Sequence, residues 1–206
     1  MADRSFSFVD GKRNSRNSAM WAYTVHGWGY GLLLLDRVED FLIMFYALAS
    51  HAHTRGTWTA AEISELDRNA TSSGYCVPTQ TLVPTYLKWL LVWEDPVSRT
   101  LWLGKAAPRN WLAVGETIAV ANATTRYGRL SFSTHRASKT ELLATLAMGP
   151  AAGFPPGGVK LRLRLPRDTR LRKASAGVLN ATEETIFFAS RPESELRVEL
   201  EPVAQN

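Results

Sequence analysis

The chain has 206 residues, 45% hydrophobic and 21% charged, enough for one moderate domain or two small ones and inconsistent with disorder throughout. The net charge is +5, but 19 acidic residues are mixed among 24 basic ones, so the balance permits an anionic partner without demanding one. A single cysteine, Cys76, excludes a disulfide within the chain.

Residues 1–18 are polar and basic, without periodicity; they read as an irregular lead, and no signal peptide is visible in them. Residues 19–35 are rich in aromatics and glycine. The run Gly27, Gly29, Gly31 is not followed by Gly-Lys-Ser/Thr, so it is not a phosphate loop and reads as close packing in an aromatic core. Residues 36–53 carry the strongest helix pattern. Asp36 and Glu39 fit a capping box, and Asp40 complements the helix dipole. Val38, Phe41, Leu42, Phe45, Leu48 and Ala49 follow three-four spacing, and Met44 and Tyr46 widen the apolar face, as expected of a helix sandwiched between others. Asp36, Arg37, Glu39 and Asp40 interrupt the apolar run from Trp28 to Ala49, so it is not an ordinary transmembrane helix and no membrane partner is expected.

Residues 51–67, HAHTRGTWTAAEISELD, form a polar and aromatic junction. Thr59 and Glu62 repeat the capping pattern and predict a helix from Ala60 to about Leu66. Residues 68–77 read as loop, and Pro78 to about Trp89 as a short helix capped by Thr79 despite Pro84. From Lys88 onward strand signals dominate. KWLLVWED, the turn DPVS and RTLWLG predict a hairpin, and APRNWLA a single helical turn. GETIAVAN, RYGRLSFSTHR, TELLATLAM, LRKASAGVL, TIFFAS and ELRVELE are further strands, and GPAAGFPPGG is a loop. In VKLRLRLP, Val159, Leu161, Leu163 and Leu165 point one way and Lys160, Arg162 and Arg164 the other. The pattern predicts an α+β chain: a few helices over 1–85, then an antiparallel β-sandwich over 86–206.

Lys160, Arg162, Arg164, Arg167, Arg170, Arg172 and Lys173 form either a nucleic-acid patch or the solvent face of two strands. The alternating Glu193, Glu195, Glu199 and Glu201 of the last strand would neutralise such a face, so no nucleic-acid partner is expected. Asn-x-Thr sequons at Asn69, Asn122 and Asn180 fit either N-glycosylation or an ordinary turn preference. His51 and His53 are two apart and face different ways on a helix, so neither a metal site nor another cofactor is expected. Cys76 has no histidine near it in sequence, and there is no Gly-x-Ser-x-Gly. Cleaving a glycosidic bond takes two carboxyl groups. Of Glu39, Asp40, Glu62, Glu65 and Asp67, Glu62 stands four residues from Trp58, and an indole beside a carboxylate suits a sugar ring. Helix capping is the alternative reason for Glu62.

The stretches HTRGTWTAAE (53–62), VPTQTLVPTYLKWLLVWED (77–95), TLWLGKAAPRNWL (100–112), TTRYGRLSFS (124–133) and VKLRLRLP (159–166) together resemble the C-terminal portion of six-hairpin glycosidase-like proteins. The resemblance spans roughly residues 30–202. It implies that the helices are the remnant of an (α/α)6 barrel and that the sandwich is an accessory domain. Such a barrel has about twelve helices, at roughly 10–14 residues each, so the resemblance also implies a fragment that lacks an N-terminal barrel portion of the same protein. It further implies a glycoside hydrolase with a carbohydrate substrate, Glu62 as catalytic carboxylate, and Trp58, Arg55, Thr57, His51 and His53 as substrate contacts. The alternative is a non-catalytic carbohydrate-binding or interaction module that offers Trp93, Trp102 or Trp111 to a sugar, unless those indoles belong to the core.

Overall fold

The computed structural model describes residues 19–21, 25–51, 58–65, 75–149, 153–191 and 195–203. Among the described residues the fold is α+β: three α-helices, then ten strands in two five-stranded, mostly antiparallel sheets. Contacts divide the chain into 1–88 and 89–206.

The first unit holds β1 (Ala19–Trp21), α1 (His26–Leu34), α2 (Val38–His51), β2 (Ile63–Glu65) and most of α3 (Val77–Leu91). Asp36 does not open α2. It takes a left-handed backbone, φ 57°, just past the end of α1. Its N–H donates to the Leu33 carbonyl at 3.2 Å, and that of Arg37 to the Leu32 carbonyl at 2.8 Å. This is the paired hydrogen-bond pattern that closes a helix C-terminus, and Asp tolerates the left-handed position better than most residues. Arg37 then starts α2, its carbonyl accepting the Phe41 N–H at 3.1 Å while its side chain pairs with Asp40 at 2.8 Å. The face of α2 made by Val38, Phe41, Leu42, Met44, Phe45 and Leu48 is buried, leaving Ile43 and Tyr46 exposed. The helix expected from Ala60 is absent. Residues 63–65 are a strand paired antiparallel with β1, Trp21 opposite Ile63. A partner strand distant in sequence outweighs the local Thr59–Glu62 capping pattern. α3 runs longer than expected and takes in Lys88 to Leu91; Thr79 lies buried inside its first turns rather than at its cap.

Tyr86 anchors this unit. It is fully buried, tilted against Phe41 at 5.3 Å, and its hydroxyl donates to the Val25 carbonyl. Burial pushes this phenol well above its ordinary value of about 10, with a backbone contact from Gly29 pulling the other way. The folded chain therefore keeps the proton after the unfolded chain has released it. The stability Tyr86 contributes is intact below about pH 10 and is lost as pH rises above it. Urea unfolding at about pH 9 to 11 should show wild type losing up to about 1.4 kcal/mol per pH unit relative to Tyr86→Phe. Parallel pH profiles for the two proteins would contradict this.

In the second unit β3 (Val92–Glu94) and β4 (Leu101–Leu103) form the expected hairpin, and Arg109–Leu112 a 3-10 turn. Then come β5 (Thr117–Thr125), β6 (Gly128–His135), β7 (Glu141–Met148), β8 (Val159–Arg162), β9 (Thr169–Ala174), β10 (Val178–Asn180), β11 (Thr185–Phe188) and β12 (Glu195–Pro202). One sheet has the order β10-β11-β8-β4-β3, the other β5-β6-β7-β12-β9. All neighbours are antiparallel except β4 and β8, which run parallel with Leu101 opposite Val159. Leu101, Leu103, Leu161 and Ile186 from the first sheet meet Phe132, Leu142, Leu171 and Val198 from the second in one buried core. Each such side chain contributes about 1.5–3 kcal/mol of burial.

The apolar alternation of 159–165 holds, but the basic face behaves otherwise than expected. β8 lies between β11 and β4, away from β12, so the acidic strand cannot neutralise it. Arg164 is buried and donates to the Ala107 carbonyl at 3.0 Å. The expected Arg–Glu pairing occurs one strand later: Arg170 pairs with Glu201 at 2.6 Å and Arg172 approaches Glu199 at 3.8 Å. Two inner clamps fix the loops. Arg109 donates from its two terminal nitrogens to the two carboxylate oxygens of Glu184, at 2.7 and 2.9 Å. Buried Arg136 donates to the Leu112 carbonyl at 3.1 Å and to Thr169 Oγ1 at 2.9 Å, satisfying a charge that would otherwise be costly to bury.

Candidate functional site

Of the residues singled out between 51 and 62, the structure describes Trp58 and Glu62 fully. His51 is the last residue of α2, known by its backbone alone; His53, Arg55 and Thr57 lie outside the described residues. Trp58 has a left-handed backbone, φ 56°, and its side chain is 49% exposed. A bulky residue there is an outlier whose cost is of order 1–3 kcal/mol. Ala60 and Ala61 are buried, and the Ala60 carbonyl accepts the Cys76 N–H at 2.8 Å, which ties this segment to the start of α3. Two small apolar residues thus anchor the chain between an exposed indole and Glu62.

Glu62 is half-buried at the bend before β2. With no helix starting at Ala60, capping no longer accounts for it. Among the described residues its carboxylate has no hydrogen bond or ion pair. The arrangement places a half-exposed indole and a half-buried glutamate within one short segment. Cys76 is half-buried, and His135 Nδ1 lies 2.9 Å from Thr117 Oγ1. Among the described residues no three His, Cys, Asp or Glu side chains gather as they would around a metal ion. No described helix is long and apolar enough to cross a membrane.

The tryptophans of the sandwich are differently placed. Trp93 is 1% exposed and stands edge-on to Trp89 at 5.7 Å. Trp111 packs against the core. Trp102 is ringed by cations: Lys105 Nζ lies 3.9 Å and Lys160 Nζ 4.6 Å from its ring centre, and Arg162 Cζ 5.7 Å. Charges at these distances occupy the electron-rich indole that a sugar would need.

The sandwich also bears a groove that sequence reasoning did not locate. It holds about 570 Å³ where β12 lies between β7 and β9, lined among others by Ser138, Thr140, Glu141, Arg172, Arg197 and Glu199. Arg197 pairs with Glu141 at 3.2 Å across it. Alternating Arg and Glu in 170–173 and 195–201 were its signal, but only the strand order brings them together. The groove carries both charge signs and the hydroxyls of Ser138, Thr140 and Ser175, and no aromatic lines it. No family model, no curated protein and no solved structure matches the chain.

Proposed function

We propose that the chain is the C-terminal part of a glycoside hydrolase, similar to six-hairpin glycosidase-like proteins, and that Glu62 and Trp58 belong to its glycan site. The observation that carries this reading is Trp58, a bulky residue with a left-handed backbone, half-exposed four residues before a half-buried glutamate whose carboxylate has no partner among the described residues. Strain of that kind accompanies ligand sites, because the position of the side chain matters more there than backbone comfort. Trp58 would stack on the sugar ring, and Glu62 would serve as one of the two carboxyl groups that cleavage takes. Arg55, Thr57, His51 and His53 would contact the hydroxyls. The second carboxyl group and the remaining helices would come from an N-terminal barrel portion of the same protein.

A second reading, a non-catalytic carbohydrate-binding module, draws on the charged and hydroxyl-bearing groove over β12. Titrating the chain with glycans selected on an array separates the two. Trp58→Ala is expected to weaken binding about tenfold, while Arg197→Ala leaves it unchanged. The reverse pattern supports the module. In a protein that carries the remaining barrel helices, Glu62→Gln should keep binding and lower hydrolysis by about 10²–10⁴-fold. If no glycan binds, or Glu62→Gln hydrolyses like wild type, the hydrolase reading fails.

A further inference from the structure

The two sequons in described segments sit on sheet edges that carry no charge. The outer strands are β10 and β3 in one sheet and β5 and β9 in the other. An outer strand presents unpaired N–H and C=O groups that can template pairing with another chain, and charged side chains are one way to prevent it. β9 carries Arg170, Arg172 and Lys173, and β3 is only three residues long and ends in Glu94. β5 (TIAVANATT) and β10 (VLN) contain neither a charged residue nor a proline. β5 is the more hazardous edge, because at nine residues it is the longest described strand.

Asn122 lies at the bulge where the pairing of β5 with β6 shifts between Val120 and Ala123. Its φ is 54°, and its N–H donates to Ser131 Oγ at 2.8 Å, which holds the kink in place. Asn180 ends β10, and its Oδ1 accepts the Glu183 N–H at 3.1 Å. Both asparagines are exposed, and so are the threonines two residues on, Thr124 and Thr182. Among the described residues neither Nδ2 is engaged in a hydrogen bond. Each sequon therefore presents its nitrogen and its hydroxyl to solvent at an irregular point of the backbone.

We propose that Asn122 and Asn180 are N-glycosylated and that the glycan on Asn122 shields the β5 edge. The donor is a lipid-pyrophosphate-linked oligosaccharide. Asn Nδ2 attacks C1 of the first sugar, the C1–O bond breaks, and the lipid pyrophosphate leaves with the electron pair. The amide gives up one proton, and no oxidant or reductant takes part. The charge-bearing edges need no such cover, whereas on β5 a bulky hydrophilic chain would block the approach of a second strand.

The test is translation of the 206-residue chain behind a cleavable signal sequence with microsomal membranes. A ladder of slower bands that collapses with endoglycosidase is expected. Asn122→Gln and Asn180→Gln should each remove one step, and Thr124→Ala and Thr182→Ala should do the same while leaving the asparagines in place. A ladder that none of the four variants shortens, or no ladder, overturns the proposal. Light scattering of the purified proteins reads the second part. The glycosylated chain should stay dispersed, while Thr124→Ala associates as concentration rises. Equal dispersion of the two overturns the shielding role of the Asn122 glycan.

Discussion

Gly157→Ala is expected to destabilise the sandwich by more than about 3 kcal/mol. A Cβ at this position would lie 2.1 Å from the Ser98 carbonyl oxygen and 2.7 Å from the Thr100 nitrogen. Both are backbone atoms, and neither can rotate away. The turn they belong to is itself held: Asp95 Oδ1 accepts the N–H groups of Val97 and Ser98, each at 2.9 Å. The loop is stitched onto it by Gly157 N–H to the Arg99 carbonyl at 3.2 Å, Thr100 Oγ1 to the Gly157 carbonyl at 3.0 Å and Leu101 N–H to the Gly158 carbonyl at 3.0 Å. Making room for a methyl group breaks these bonds and pries β4 from β8 at the first pair of their parallel ladder. Gly153→Ala, where nothing lies within 4 Å, should stay within about 0.5 kcal/mol of wild type. Urea unfolding followed by tryptophan fluorescence reads both. Equal midpoints for the two variants would show that the loop yields where the geometry says it cannot.

Within α1, alanine substitutions two residues apart should have opposite signs. A Cβ on Gly29 would come within 2.6 Å of Tyr86 Cζ and Oη and of Met44 Cε. Met44 can swing aside, but Tyr86 is buried, braced by Phe41 and bonded to the Val25 carbonyl. Gly29→Ala should therefore cost about 2–3 kcal/mol, an overpacking penalty that exceeds the gain in helix propensity. At Gly31 no heavy atom lies within 4 Å of the added carbon. Gly31→Ala should stabilise by about 0.5–1 kcal/mol, because alanine loses less backbone freedom than glycine on entering a helix. Amide hydrogen exchange in the helical unit distinguishes them: faster for Gly29→Ala, slower for Gly31→Ala. The same sign at both positions would refute the packing argument.

The elements that could be read from sequence are those whose own periodicity matches their environment. Val159, Leu161 and Leu163 alternate because one side of β8 faces the core, and the three-four pattern of 38–48 marks the buried side of α2. What escaped is what depends on a remote partner. Thr59 and Glu62 look like a helix start until β1 arrives to pair with Ile63. Asp36 satisfies a capping rule for the helix after it while closing the one before it. Arg164 looks like a surface cation until the Ala107 carbonyl meets it indoors. Lys88 to Leu91 suits strand or helix equally, and the continuation of α3 decides it. For the candidate site, composition pointed to Trp58 and Glu62. The left-handed backbone of one and the missing helix behind the other appear only in three dimensions.

The parallel pairing of β4 with β8 has a consequence in time. β3 and β4 emerge early in synthesis, but β4 must wait for β8 while all of β5, β6 and β7 is made between them. Later the chain alternates between sheets at nearly every strand, so neither sheet is complete until the last strands arrive. Loop closures that long must be made before the contacts that reward them, which places the sandwich among slow-folding topologies, at roughly milliseconds to seconds. Until β8 arrives, the early hairpin is a half-covered ribbon with Leu101 and Leu103 open to whatever strand comes first.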